Sequence, residues 1–211
     1  MATSIYLNYL KGIIPEYELD ELSRNFSSIG IEFDYFEISK EPQASAEEIL
    51  SPILLFLSSD IVQAYILGLL TSTSYDLIKK SILSIWRHIS GETIRVTTAS
   101  GIQKIKEASL DLDISLNNRT TVKFKLKGDI SEKIKEKCID NAFQLLKSAD
   151  SFKTKGMYIA LYGIEQDSWD IYLDVEFVRK FILKEKIKPD LDSFKKTTLK
   201  KRIKIKHQVL F

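Results

Sequence analysis

The stretch from residue 49 to residue 75 most constrains what this 211-residue chain can fold into, because Asp60 is its only charged residue. A membrane-spanning helix needs about 20 predominantly apolar residues, and the stretch is long enough. An aspartate near the middle of such a helix costs about 2.5 to 3.5 kcal/mol on insertion. Ser58, Ser59 and Gln63 add further polar groups. We therefore favour burial in a globular core, with membrane insertion as the alternative.

Two short helices are predicted inside this stretch. Ser51 and Pro52 have the pattern of an N-cap followed by proline at the first helical position, where its missing N–H costs nothing. Ser58 and Asp60 indicate a second helix start, since the exposed N–H groups of a first turn favour a hydroxyl cap and a carboxylate. The apolar side chains expected to enter the core are Leu54, Leu55, Leu57, Ile61, Ile66 and Leu70.

The N-terminal segment predicts a strand, a helix and a second strand. Residues 5–9 are rich in β-prone side chains, and Pro15 can open a helix that Gly30 ends with a left-handed cap. Residues 31–36 follow as the second strand. A helical crossover of this length is typical of a right-handed parallel βαβ unit.

Downstream of the hydrophobic stretch, apolar side chains repeat on one face from Tyr75 to Ile85 and predict an amphipathic helix. We expect this helix to end near His88, with Gly91 just beyond it. His88 in the last turn would complement the helix dipole, which is a far commoner role than catalysis. Residues 93–97 then predict a strand.

A β-hairpin around residue 118 is the sharpest local prediction. A three-residue loop at 117–119 points the apolar sets of both strands to one side, whereas a two-residue turn points them to opposite sides. We expect the charged pairs of this register to be exposed and to contribute a few tenths of a kcal/mol each. These pairs are Asp113 with Lys123 and Asp111 with Lys125.

The remaining pattern completes an α+β protein. Residues 129–149 predict a helix with Cys138 on its apolar stripe, where cysteine is usually a small core residue. Strands are predicted at 157–162 and 169–176, and a helix before Pro189. The fold class is therefore α+β, with an N-terminal βαβ unit and hydrophobic helices followed by an antiparallel sheet with flanking helices. We divide the chain into residues 1–92 and 93–211, or one continuous domain.

Charge is distributed unevenly between these two regions. Residues 1–92 carry 6 Lys or Arg and 13 Asp or Glu, a net charge of −7, and residues 93–211 carry 25 and 16, a net charge of +9. Such asymmetry fits two domains, a head-to-tail assembly or an anionic partner for the basic half. A single cysteine excludes an intramolecular disulfide, and the N-terminus lacks a secretory signal pattern, so a cytoplasmic location is expected.

An acidic strand face is the first candidate site. Asp170, Asp174 and Glu176 share one face of the last predicted strand, with Asp167 close by. Carboxylates in this arrangement fit a divalent cation in a metal-dependent nuclease or phosphohydrolase. Outward-facing acids on a half-exposed strand produce the same pattern.

A basic tail is the second candidate site. Seven cations and no acid lie between residues 195 and 206, and residues 202–206 alternate strictly between basic and apolar side chains. Clustered cations suit phosphate contacts, hence an anion or nucleic acid. An edge strand guarded by lysines gives the same pattern. The candidate residues are Lys200, Lys201, Arg202, Lys204 and Lys206.

The element order over residues 4–98 has a counterpart in one known group of proteins. A strand, a helix and a strand precede a hydrophobic helix with Gly68, which runs into a basic end with Lys79 and Trp86 and then a β-prone run. This layout resembles the effector-associated constant components of bacterial conflict systems. The resemblance implies an adaptor or assembly part and assigns no functional residue.

We therefore expect a non-catalytic interaction or assembly component of a bacterial defence complex, with a protein partner and no cofactor. Homo-oligomerisation, nucleic-acid binding and membrane-surface binding are further options for its partners. The alternative function is a membrane-acting effector that uses residues 49–75, and a metal-dependent nuclease or phosphohydrolase comes third.

Overall fold

A computed structural model describes residues 3–38, 53–97, 103–117, 119–147, 152 and 154–174. The predicted N-cap at Ser51 and Pro52, the predicted helix before Pro189 and the basic tail lie outside these ranges. The elements in chain order are β1 (Ser4–Leu10), α1 (Glu16–Ser28), β2 (Glu32–Ile38), β3 (Ile53–Leu57), α2 (Ser59–Ile66), α3 (Ser72–Ile89), β4 (Thr93–Thr97), β5 (Gln103–Glu107), β6 (Ser109–Asn117), β7 (Thr120–Lys127), α4 (Glu132–Lys147), β8 (Gly156–Gly163) and β9 (Ser168–Leu173).

A seven-stranded mixed sheet organises the fold, in the order β2-β1-β3-β6-β7-β8-β9. Parallel pairs (β1/β2, β3/β6, β7/β8) alternate with antiparallel ones (β1/β3, β6/β7, β8/β9). The pairing of β3 with β6 joins strands from residues 1–92 and 93–211 into one sheet. The predicted α+β class is confirmed. β4 and β5 form a separate antiparallel pair, and β5 was not predicted.

The four helices of the described ranges pack against the sheet and against one another, with α2 and α3 on β6, α1 on β2 and α4 on β9. Because side chains alternate between the faces of a strand, every second residue points toward this helical layer. One row of neighbouring side chains crosses the core: Leu7, Leu55, Leu112, Phe124 and Ala160, all fully buried. The opposite face of the sheet carries the residues in between.

The first helix predicted in the hydrophobic stretch is wrong, because Ile53–Leu57 form strand β3. Every residue of this run is apolar, so no periodicity distinguishes a helix from a strand. The second predicted helix is confirmed as α2, with Ser58 in the N-cap position. Ser58 Oγ, however, accepts a hydrogen bond from the Ser4 N–H, 3.2 Å away, and so links the start of α2 to β1.

Burial of the hydrophobic stretch is confirmed for part of the predicted set. Leu55, Leu57 and Ile61 are fully buried, whereas Ile66 and Leu70 pack on the core while half-buried. No helix in the described ranges is long and apolar enough to cross a membrane.

The predicted parallel βαβ unit is confirmed by the pairing of β1 with β2. Gly30 takes a φ of +72° directly after α1, as expected of a left-handed helix cap. The amphipathic helix is confirmed as α3, which ends at Ile89. His88 in its last turn has a partner that the sequence did not indicate, because its Nε2 lies 3.3 Å from Glu18 Oε2 on α1.

The predicted hairpin register is confirmed on β6 and β7, where Ile114 pairs with Val122. The register then shifts at Leu116, so that Asn117 pairs with Thr120. The three-residue loop is therefore wrong in detail: Asn117 belongs to β6, and a bulge supplies the extra residue. The apolar faces of both strands still point to the helical layer, as the alternation predicts.

Candidate functional site

The two sites predicted from sequence are only partly visible. Asp170 is exposed on β9, Asp174 is half-buried directly after it, and Glu176 lies outside the described residues. Asp167 lies before β9, accepts a hydrogen bond from the Tyr162 hydroxyl and forms an ion pair with Lys137. Among the described residues, no group of three or more His, Cys, Asp or Glu side chains could hold a metal ion. The acidic site with Glu176 and the basic-tail site stay predictions.

Four charged side chains form a cluster on the sheet face that points away from the helices. We call Asp111, Asp113, Lys123 and Lys125 the sheet-face cluster. Lys123 Nζ lies 3.2 Å from Asp111 Oδ2 and 3.4 Å from Asp113 Oδ2, and Lys125 Nζ lies 3.6 Å from Asp111 Oδ2. One ammonium group is therefore shared by two carboxylates.

The prediction that these pairs are exposed is wrong. Asp111 is 0% exposed, Asp113 and Lys125 are 7% exposed, and Lys123 is 8% exposed. β6 and β7 are central strands, so side chains of the flanking strands lie beside the cluster on the same face. Phe56 neighbours Asp113 across β3 and β6. In this conformation the cluster is closed to a ligand, and we assign it to the architecture of the sheet.

Burial and shared charge perturb the acid–base behaviour of the sheet-face cluster. Burial raises the pKa of Asp113 to about 6, and the nearby Asp111 carboxylate adds to this effect, while Lys123 opposes it. Burial lowers the pKa of Lys123, but the two carboxylates outweigh burial, so its pKa is raised overall. Burial lowers the pKa of Lys125, against the attraction of Asp111. Asp113 Oδ1 is buried with no hydrogen-bond partner among the described residues.

Strand β2 presents a different kind of site, because it lies at one end of the sheet order. On one side it pairs with β1 over its whole length, and no described strand lies on its other side. We call this free side of Glu32–Ile38 the β2 edge. An open strand edge carries unpaired N–H and C=O groups that a further strand can bind.

Two backbone hydrogen bonds establish which residues of β2 face outward. The Glu32 N–H donates to the Thr3 carbonyl at 2.9 Å, and the Lys11 N–H donates to the Ile38 carbonyl at 2.9 Å. Because the direction of the backbone groups alternates along a strand, residues 32, 34, 36 and 38 bond to β1. The N–H and C=O groups of residues 33, 35 and 37 therefore point to the β2 edge.

Exposed aromatic rings flank the β2 edge on both faces of the sheet. On the helical face, Tyr35 is 48% exposed, and its ring centroid lies 5.9 Å from that of Phe33. On the opposite face, Phe36 is 67% exposed, and Tyr6 of the adjacent strand is 43% exposed with its ring centroid 6.1 Å from that of Phe56. Phe33 packs on Phe26 of α1, which anchors the strand to the helical layer.

The carboxylates of β2 divide between the two faces. Glu37, on the helical face, accepts a hydrogen bond from the Tyr9 hydroxyl at 3.3 Å and lies 3.5 Å from Lys11 Nζ. Glu32 and Asp34, on the opposite face, are exposed and form no ion pair within the part of the chain that the structure covers. The β2 edge is thus acidic on one face and aromatic on both.

Sequence reasoning located β2 as a strand but missed its role as an edge. The available signal was its alternation of acids with aromatic rings, which is typical of an exposed strand. Comparisons with protein-family models, with curated proteins and with solved structures find no match to this chain.

Proposed function

We propose that this chain is a non-catalytic interaction component that binds a protein partner by adding a strand to the β2 edge. The observation that carries the proposal is that no strand in the described ranges pairs with the outer side of β2, where three residues face outward beside the exposed rings of Tyr35 and Phe36. Strand addition takes its affinity from main-chain hydrogen bonds and its specificity from alternate side chains. Aromatic side chains are enriched among the residues that dominate interface energies.

Other features of β2 support the same function. Sheet edges are usually protected by short strands, lysines, prolines or bulges. β2 has seven residues in unbroken register with β1 and contains neither lysine nor proline. On the layout resemblance alone, we extend the proposal to an assembly component of a bacterial defence complex.

Site-specific photo-crosslinking in cells tests this proposal. A benzophenone amino acid at position 36 should form a discrete adduct with one polypeptide. The same group at position 164, an exposed isoleucine between β8 and β9, provides the control because these strands lie at the opposite end of the sheet order from β2. Equal adduct yields at both positions, or none at position 36, would contradict the proposal.

Two substitutions of Tyr35 make the crosslinking result specific to strand addition. Tyr35→Ala removes the ring and keeps the outward N–H, whereas Tyr35→Pro removes both and leaves the β1 hydrogen bonds intact. We expect the adduct at position 36 to persist at reduced yield in the first variant and to disappear in the second. Hydrolysis of nucleic acid with added Mg²⁺ or Mn²⁺, abolished by Asp170→Asn with Asp174→Asn, would instead favour the metal-dependent hydrolase.

A further inference from the structure

We infer that the protein partner binds the β2 edge with a strand that alternates cationic and apolar side chains, so that its cations lie over Glu32 and Asp34. This inference rests on the proposed function and names the chemistry of the partner. Directly opposite residues of neighbouring strands have Cβ atoms about 4.5 to 5.5 Å apart, so each position of β2 selects the residue beside it.

The face away from the helices requires the cations. Glu32 and Asp34 are exposed there, and each would lie beside one side chain of an added strand. A lysine or arginine at those positions would form an ion pair, whereas an acid would be repelled. Glu37 does not require a cation on the added strand, because Lys11 and the Tyr9 hydroxyl already contact it on the helical face.

The helical face requires apolar residues. Phe33 and Tyr35 alternate with the two acids; Phe33 packs against the core, and the half-exposed Tyr35 ring lies beside it. Apolar side chains of an added strand would cover these rings and extend the core by one row. The pattern beside residues 32 to 35 is therefore cation, apolar, cation, apolar.

The chain contains a segment with this pattern in its own sequence. Residues 202–206 read Arg-Ile-Lys-Ile-Lys. These residues lie outside the described ranges, so their sequence serves here as a probe. The pattern reads the same in both directions, which suits parallel and antiparallel addition alike.

A second copy of β2 is a poorer occupant of the edge. Antiparallel pairing of two β2 strands about Tyr35 would place the Asp34 side chains of both copies diagonally on one face, where like charges repel. A nucleic acid is also disfavoured, because its phosphates would meet Glu32 and Asp34. Binding of a second copy or of a nucleic acid at the β2 edge would therefore contradict the inference.

Fluorescence anisotropy with two labelled peptides tests the inference on the intact chain. The first peptide has the sequence of residues 200–207, KKRIKIKH. The second, KKRKKIIH, has the same composition without the alternation. We expect the alternating peptide to bind about tenfold more tightly, because only it places cations and apolar residues on opposite faces.

Substitutions on β2 locate the binding. Asp34→Asn should weaken the alternating peptide about two- to fivefold, with a smaller effect at high salt. Tyr35→Pro should abolish the preference between peptides, and Tyr35→Ala should retain part of it. Equal affinity for both peptides, or affinity unchanged by Asp34→Asn and Tyr35→Pro, would overturn the inference.

One further variant separates the chain's own segment from an external partner. Ile203→Lys with Ile205→Lys destroys the alternation in residues 202–206. Tighter peptide binding to this variant than to the natural chain would show that residues 202–206 occupy the β2 edge, and it would overturn the inference of a partner strand. Equally tight binding to both chains supports a partner strand. If neither chain prefers the alternating peptide while the adduct at position 36 persists, this inference fails and the proposed function stands. A twofold increase in the mass of the protein that depends on pairing at the β2 edge would also overturn the inference, because a second copy would then be the occupant.

Discussion

Replacing Asp113 by asparagine should flatten the pH dependence of stability between pH 4 and pH 7. Burial, with a contribution from Asp111, raises the pKa of this carboxyl from 3.8 to about 6. Asparagine has nearly the same shape and cannot ionise. The variant therefore isolates the cost of the Asp113 negative charge.

The magnitude follows from the difference between the folded and unfolded pKa values. Moving a carboxyl pKa from 3.8 to about 6 corresponds to about 3 kcal/mol. Because the folded pKa is the higher one, the folded state holds the proton more tightly. The stabilisation that comes from this tighter proton binding is complete below pH 3.8 and is lost as the pH rises through about 6. Lys123 keeps its charge across this range because its pKa is raised.

Urea denaturation at pH 4, 5, 6 and 7 measures the effect. The stability of Asp113→Asn relative to the natural chain should increase by about 2 to 2.5 kcal/mol across this range, mostly between pH 4 and pH 6. Thr121→Val provides a control, because it alters β7 without changing a titratable group. Parallel stability profiles for the natural chain and Asp113→Asn would refute the assignment of this shift to Asp113.

Three further predictions concern the sheet and the core. Lys123→Met should lower the free energy of unfolding by about 3 to 5 kcal/mol, because it leaves two carboxylates buried without their shared cation. A double-mutant cycle with Asp113, measured by urea denaturation, should show clear coupling, and zero coupling would contradict the ion pair. Leu55→Ala on β3 should lower the free energy of unfolding by about 2 to 5 kcal/mol, and Leu70→Ala should lower it by about 1 to 2 kcal/mol because Leu70 is only half-buried. Equal losses of stability by the same assay would contradict the difference in burial. The Cys138 thiol should react with a thiol reagent only after unfolding, because burial raises its pKa; rapid labelling of the folded chain would contradict this.

The outcome for the hydrophobic stretch shows where sequence patterns stop being informative. Ser58 and Asp60 marked the start of α2 correctly, because helix caps depend on neighbouring residues. The five residues before them are apolar throughout, and an apolar run of this length suits a buried strand or a buried helix equally. Only its pairing with β1 and β6 decides for the strand.

The hairpin shows a second limit. Alternation on β6 and β7 predicted the register, because both apolar faces had to point to the same side. It did not predict that Asp111 and Lys125 are buried, since burial of that face depends on the position of the two strands in the sheet. Strand order is determined by contacts between distant segments.

The same limit applies to the candidate site. The acids and rings of β2 are visible in the sequence as an exposed-strand pattern. The position of β2 at the end of the sheet, which leaves residues 33, 35 and 37 with outward backbone groups, is visible only in the fold. The acidic set with Glu176 and the basic set around Lys204 stay predictions.

Hydrogen exchange at β2 tests the central claim most directly. The amides of Asp34 and Phe36 bond to β1 and should be protected with or without a bound strand. The amides of Phe33, Tyr35 and Glu37 face the β2 edge and should gain protection when the peptide of residues 200–207 is added at saturation, as resolved by NMR residue by residue. Unchanged rapid exchange of these three amides, at a peptide concentration where anisotropy shows full binding, would contradict strand addition at the β2 edge.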